Sequence, residues 1–114
     1  MNTKILGTKG EVLAQKYLKK LGLKILQKNY KNMLGEIDII CFDKKTHETI
    51  FVEVKTRSSE LFGRPKEAVN LHKQNKIKNR ALIYLKNNNL LDSKIRFDVV
   101  EVLADKVSHI VNAF

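Results

Sequence analysis

Proline, cysteine and tryptophan are scarce in this chain of 114 residues, which has one Pro, one Cys, no Trp and only five Gly. A single cysteine excludes an internal disulfide, and Cys41 lies in an apolar run where a reduced, buried thiol is the ordinary state. A reducing, cytoplasmic setting is therefore expected. No Gly/Pro-rich linker, internal repeat or low-complexity tract interrupts the chain, so all its motifs are assigned to one domain over residues 1–114. No apolar stretch approaches the length needed to cross a bilayer. Residues Met1 to Gln15 also lack the apolar core and small-residue cleavage site of a signal peptide, so a soluble, unprocessed protein with no membrane partner is expected. There is no Gly-rich phosphate loop and no Ser/His/Asp arrangement, and His47, His72 and His109 lack the short spacing of a zinc pair. Asp98, in a late strand-like run, has no catalytic-looking neighbour.

Acidic residues are few, 12 against 22 Lys and Arg, and the formal net charge is +10. Such an excess is the usual footprint of a polyanion binder. Its distribution sharpens the point. Residues 1–35 hold eight Lys against Glu11 alone, and residues 63–96 hold nine Lys or Arg against Glu67 and Asp92, so each block carries +7. Between them, residues 36–62 carry six acids against four bases, and residues 97–114 carry three acids against Lys106, each −2. An acidic centre flanked by basic segments favours nucleic acid as partner. A solvated lysine surface with no ligand is the plainer alternative.

What is present in quantity is apolar patterning, with 43% hydrophobic residues, enough for one compact core. Leu13, Ala14, Tyr17, Leu18 and Leu21 form one helical stripe, predicting a helix from Thr8 to about Leu21 with Gly22 as its stop. A short extended piece around Leu23 to Tyr30 precedes two strand-like runs, Glu36 to Phe42 and Ile50 to Arg57. The polar Asp43 to Thr49 is short enough for a hairpin, so a three-stranded meander is expected. After an aperiodic loop, Pro65 fits the first turn of a second helix running to about Lys86, with Ile77, Ala81, Tyr84 and Leu85 inward. Ile95 to Leu103 reads as a further strand and Val107 to Phe114 as a last short one. The order is α, three β, α, β, an α/β fold with helices packed on a mixed sheet.

Alternation along a strand puts Glu36 and Asp38 on one face of the first run and Ile37, Ile39 and Cys41 on the other. In the second run Phe51, Glu53, Lys55 and Arg57 share a face, opposite Ile50, Val52 and Val54. Apolar residues interleave with these acids, and partly shielded carboxylates are costly unless a cation compensates. Mg²⁺ or Mn²⁺ supplies that compensation through carboxylate oxygens, waters and a bound phosphate, which makes Asp38 and Glu53 candidate ligands. Lys55 then orients the attacking water or stabilises charge developing on the phosphate. The alternative is a cross-strand salt bridge of Lys55 with Asp38 or Glu36. Glu11 continues the helical stripe toward the sheet and is a candidate third ligand. Thr8-Lys9-Gly10-Glu11 equally fits a capping box. Gln74 falls at the inner edge of the second helix, where it orients a phosphate or closes the core, while Lys73, Lys76 and Arg80 lie on a neighbouring face. Lys9, Arg57, Arg64, Lys73, Gln74, Lys76 and Arg80 are the candidate nucleic-acid contacts.

Gly10-Glu11, Gly35-Glu36-Ile37-Asp38, Phe51-Val52-Glu53-Val54-Lys55-Thr56-Arg57, Phe62-Gly63-Arg64-Pro65, Glu67-Ala68-Val69 and Arg96-Phe97-Asp98-Val99-Val100-Glu101-Val102, in that order, closely resemble the YraN-like family of bacterial proteins (uncharacterised protein family 0102). The resemblance spans nearly the whole chain. It implies a minimal member of the PD-(D/E)XK nuclease superfamily with a restriction-endonuclease-like αβββαβ core, similar in shape to archaeal Holliday-junction resolvases. Under it, Asp38 matches the metal-binding Asp, Glu53 and Lys55 the Glu-x-Lys pair, and Glu11 the helical acid. The Pro that often precedes the Asp is replaced by Ile37. The implied activity is Mg²⁺- or Mn²⁺-dependent phosphodiester hydrolysis, of DNA rather than RNA and of branched structures as in the resolvases. By the same analogy, the Phe62 to Pro65 loop would contribute to a homodimer. A non-catalytic nucleic-acid binder and a protein interaction module are the alternatives, since a fold does not dictate its chemistry.

Overall fold

The computed structural model describes residues 3–57 and 70–114, with side chains from residue 9 onward. Helix α1 spans Thr3–Lys20, followed by strands β1 (Lys24–Asn32), β2 (Gly35–Asp43) and β3 (Glu48–Arg57). Helix α2 (Leu71–Asn87) then leads to β4 (Lys94–Leu103) and β5 (Lys106–Ile110). The five strands form one sheet in the order β1-β2-β3-β4-β5. β1, β2 and β3 pair antiparallel as a meander, β4 pairs parallel with β3, and β5 antiparallel with β4. The α/β class, the mixed sheet and the element order agree with the expectation from sequence.

Each sheet face is closed by one helix. Ala14 and Leu18 of α1 pack with Ile39, Cys41, Ile50, Val52, Val100 and Val102. Ile77, Ala81, Tyr84 and Leu85 of α2 pack with Ile37, Ile40, Phe51 and Phe97 on the other face. The central strands β2, β3 and β4 are therefore apolar on both faces, as strands covered by helices on two sides must be. Burying a large aliphatic side chain such as Ile39 or Ile50 contributes roughly 1.5–3 kcal/mol.

Three boundaries and one strand phase differ from those expected. α1 starts at Thr3, so Thr8 and Glu11 lie inside the helix and the capping-box reading of Glu11 fails. α2 starts at Leu71 behind an extended Asn70, whose side-chain oxygen accepts the Lys73 N–H at 2.9 Å. An Asn cap satisfies a first-turn N–H that would otherwise lack a partner. Pro65 and the Phe62 to Pro65 loop lie outside the described residues. β5 stops at Ile110, where Asn112 turns the chain with φ 54° and Phe114 folds back to stack on Phe97 at 5.1 Å. The fourth difference is one of phase. Ile37 packs with Ile40 on the α2 face, whereas Ile39 packs on the α1 face, so simple alternation breaks at Asp38.

Two glycines are required by packing. Gly10, buried inside α1, lies so close to Thr56 of β3 that an added Cβ would run into the Thr56 hydroxyl and methyl. Gly35, at φ 133°, lies under the Arg80 guanidinium, which an added Cβ would meet at 2.5 Å. The first brings α1, and with it Glu11, down onto β3. Gly10→Ala gains about 1 kcal/mol of helix propensity but overpacks this contact, which typically costs 1–3 kcal/mol. A net loss on the order of 1 kcal/mol is expected by urea denaturation. In a Thr56→Ala background the same substitution should become neutral or stabilising, and an unchanged loss there would place its cause elsewhere.

Candidate active site

The site follows from the point where β2 and β3 part. Their pairing runs from Asp43↔Glu48 to Ile39↔Val52 and ends there. Beyond it the Val54 N–H has lost its strand partner and donates to Asp38 Oδ2 at 2.7 Å, so a carboxylate closes the end of the ladder. On the other side of Asp38, β1 pairs at Lys28↔Ile39 and Tyr30↔Ile37 around Asn29, whose φ is 50°. This local irregularity accounts for the change of phase at Ile37.

Acids from three elements meet around this fork. Oriented to donate, the Asn29 amide nitrogen reaches Glu11 Oε2 at 3.2 Å and Glu36 Oε1 at 3.1 Å, joining α1 to β2. Burial, followed by the charge of Glu53, pushes the Asp38 carboxyl up to about 7, with Glu11 and Glu36 adding to the effect and the Val54 N–H opposing it. Burial and the charges of Glu36 and Glu53 likewise raise the Glu11 carboxyl. Neighbouring carboxylates thus raise the cost of ionising Asp38 and Glu11 in a partly dry setting.

Two lysines answer them. Lys55 Nζ lies 3.4 Å and Lys73 Nζ 3.3 Å from the same oxygen of Glu53, whose side chain is only 11% exposed. Burial and the neighbouring Lys73 lower the Lys55 ammonium below the usual lysine range, although Glu53 opposes the shift. In place of the alternative cross-strand bridge to Asp38 or Glu36, Lys55 pairs with Glu53 of its own strand. Lys73, expected on a face beside the inward stripe, turns to Glu53 from the first turn of α2. Among the described residues, no three His, Cys, Asp or Glu side chains are gathered closely enough to enclose a metal ion.

An open cavity of about 310 Å³ adjoins the fork, lined by Glu11, Val54, Lys55, Thr56 and Arg57. Glu11, Asp38, Glu53, Lys55, Arg57 and Lys73 thus gather in one region. Other expected nucleic-acid contacts fall elsewhere. Lys9 is exposed and lies 3.9 Å from Asp105. Lys76 is exposed and Gln74 half-buried, while Arg64 is outside the described residues. Arg80 donates from Nε to the Leu34 carbonyl at 3.0 Å and from Nη1 to the Glu36 carbonyl at 2.9 Å, so it clamps the β1–β2 turn onto α2.

Some charged residues escaped the sequence reading. Glu101 stands in register with Lys55, and its Oε1 is buried with no hydrogen-bond partner among the described residues. Asp98 is fully buried, held by two bonds from Arg96 at 2.9 Å, by His109 Nε2 at 2.6 Å and by the Asn112 N–H at 2.9 Å. His109 Nδ1 in turn meets the Tyr17 hydroxyl at 3.2 Å. Burial opposes ionisation of Asp98, but the bonds from His109, Arg96 and Asn112 outweigh it and hold the carboxyl below its usual range. This network anchors β5 and α1 to β4, on the α1 side of the sheet. His109 and Asp98 are named from the sequence without being joined, because residues eleven positions apart become neighbours only through strand pairing.

A carboxyl raised in the folded state favours folding below its unfolded value, near 3.8, and loses that contribution as pH rises through about 7. Asp38→Asn keeps an oxygen for the Val54 N–H and removes the charge. In EDTA the variant should match the wild type near pH 4 and exceed its stability by an amount on the order of 2 kcal/mol at pH 8. Chemical denaturation across that range tests this, and a difference independent of pH would mean that Asp38 titrates normally.

Comparison with known proteins places the chain in a family. Residues 10–102, which run from the glycine at the α1–β3 contact to the next-to-last residue of β4, match the model of the uncharacterised protein family UPF0102. A UPF0102 protein of Clostridioides difficile is 50% identical, with all of both chains covered. One from Caldanaerobacter subterraneus subsp. tengcongensis is 46% identical over 100% of this chain and 98% of its own. Another, from Alkaliphilus oremlandii, is 50% identical over the whole of both chains. Matches of this extent cover both helices and every strand, so the chain belongs to family UPF0102.

Proposed function

We propose that this protein is a Mg²⁺- or Mn²⁺-dependent endonuclease of restriction-endonuclease-like fold that hydrolyses phosphodiester bonds in DNA, working in the cytoplasm. The observation that carries the reading is the fork itself. Asp38 is held at the end of the β2–β3 ladder with Glu53, Glu11 and Glu36 around it, and its carboxyl is raised to about 7. An all-oxygen donor set whose charges disfavour one another suits a hard divalent cation, which would remove that penalty. Asp38 and Glu53 would hold the ion, with Glu11 at its edge. The ion would supply Lewis-acid stabilisation of the scissile phosphate and a water of lowered pKa.

The residues of the chain do the rest. Lys55, partly dry and depressed below the usual lysine range, is close enough to Glu53 to reach a phosphate oxygen bound beside it, where its ammonium would stabilise developing charge. Lys73 would hold Glu53 in place or replace Lys55 as its partner once Lys55 turns to substrate. Arg57 and Lys76 are the cations available to position the phosphate backbone, and the +7 blocks would supply attraction to DNA at long range. A homodimer would allow two strands to be cut.

A second reading rests on one observation, the pairing of both Lys55 and Lys73 with Glu53. A site so neutralised would be a scaffold, and the protein a non-catalytic nucleic-acid binder. Because Lys73 remains beside Glu53 when Lys55 is removed, Lys55→Ala should cost under about 1 kcal/mol in EDTA, whereas removing both lysines should approach the 3–5 kcal/mol of an unpaired shielded charge. Cleavage of linear, flapped and four-way DNA with Mn²⁺ should fall at least about a hundredfold in Lys55→Ala and in Glu53→Ala. DNA that is bound but never cut by the wild type would favour the scaffold reading.

A further inference from the structure

The β1–β2 turn carries two apolar side chains into solvent on an unusually well-fixed backbone. Met33 is 90% and Leu34 49% exposed. The Leu34 N–H donates to Asn32 Oδ1 at 2.9 Å, and the Asn32 amide nitrogen donates to the Tyr30 hydroxyl at 3.1 Å and the Arg80 carbonyl at 3.2 Å. Arg80 in turn grips the Leu34 and Glu36 carbonyls and lies over Gly35. An exposed turn held by five such bonds loses little further entropy when a partner binds it.

Cations surround this tip. Lys31 is exposed just before it, and Leu34, Lys76, Asn79 and Arg80 line a shallow cavity of about 220 Å³ beside it. Apolar residues ringed by positive charge suit a ligand that is negative at its edge and flat and apolar within, as a nucleic acid is at an opened base step. The tip also continues the strand that carries Asp38. Asp38 lies four positions beyond Leu34, about 13 Å of extended chain, or roughly four steps along a DNA strand.

We infer that Met33 and Leu34 form a wedge that packs against an unstacked base at a branch or other opened step, while Lys31 and Lys76 hold the flanking phosphates, so that the substrate class is DNA with a discontinuity in its stacking. Apolar wedges of Leu or Met act this way where proteins kink or open DNA. The inference rests on the proposed nuclease site, because it is that site that the wedge would register on the strand. Cleavage is then expected within about four nucleotides of the branch point.

The test uses the full chain in EDTA, with fluorescence anisotropy on a forked DNA and on a linear duplex of equal length. A second fork carries 2-aminopurine at the branch. The wild type should bind the fork more tightly than the duplex and brighten the 2-aminopurine. The Met33→Ala/Leu34→Ala double variant, with wild-type melting temperature, should lose the brightening and about tenfold in fork affinity, yet bind the duplex unchanged. Equal losses on fork and duplex, or no loss on either, would overturn the wedge while leaving the nuclease reading intact. Failure of the wild type to bind any DNA would overturn both. Sedimentation of the same pair decides a protein partner: a dimer lost in the variant without change in fork binding would make the tip a subunit contact and refute the wedge.

Discussion

The hydrogen bond from the Val54 N–H to Asp38 is the constraint from which the site takes its shape. Two antiparallel strands that stayed paired to their ends would place Asp38 opposite a residue of β3 and leave no gap between them. Ending the ladder at Ile39↔Val52 exposes a backbone donor that must be satisfied in a half-buried place, and a carboxylate one residue beyond the last pair does so. That carboxylate is thereby fixed in position but left short of charge compensation. Its surroundings follow from the gap: α1 brings Glu11 from one side because Gly10 allows close approach to Thr56, and α2 brings Lys73 from the other because Asn70 starts the helix there.

Most of the architecture was legible because it depends on periodicity. The α1 stripe, the meander and the inward set Ile77, Ala81, Tyr84 and Leu85 are all read from spacings of 3.6 or 2. Such reasoning gave way where a single residue changes the phase. Nothing in the residue types around Asp38 signals that Ile37 and Ile39 face opposite helices, because the break is a tertiary compromise between pairing with β1 and release from β3. The boundary of α2 was missed for a related reason: Pro65 is a good helix starter, but the Asn70 cap sets the start that the described residues show.

The candidate site was legible in its membership and less so in its pairing. Asp38, Glu53, Lys55 and Glu11 do gather at the fork. The partner of Lys55, however, is the acid two residues before it on the same strand, and Lys73 joins them from a helix some twenty residues later. Charge patterns along a sequence reveal which residues must be compensated, but not by whom, since long side chains choose partners in three dimensions. The Asp98 network makes the same point, because Arg96, His109 and Tyr17 become a set only once β4, β5 and α1 are in place.

The parallel pairing of β3 with β4 bears on how the molecule is made. Glu48 pairs with Lys94, whereas every earlier strand contact closes over a short turn. Long-range closure is slow, since the chain between must be ordered before the contact rewards it. During synthesis the meander can therefore assemble first, with one side of β3 unpaired and its apolar Ile50 to Val54 segment open to other chains. Glu53 interrupts that segment, and Lys55 and Arg57 follow it with charge, as residues that discourage edge-to-edge association do. The same charges that mark the mature strand would thus keep the nascent one from sticking, so a version with all three neutralised would be expected to accumulate poorly in the soluble fraction for reasons unrelated to the stability of the finished fold.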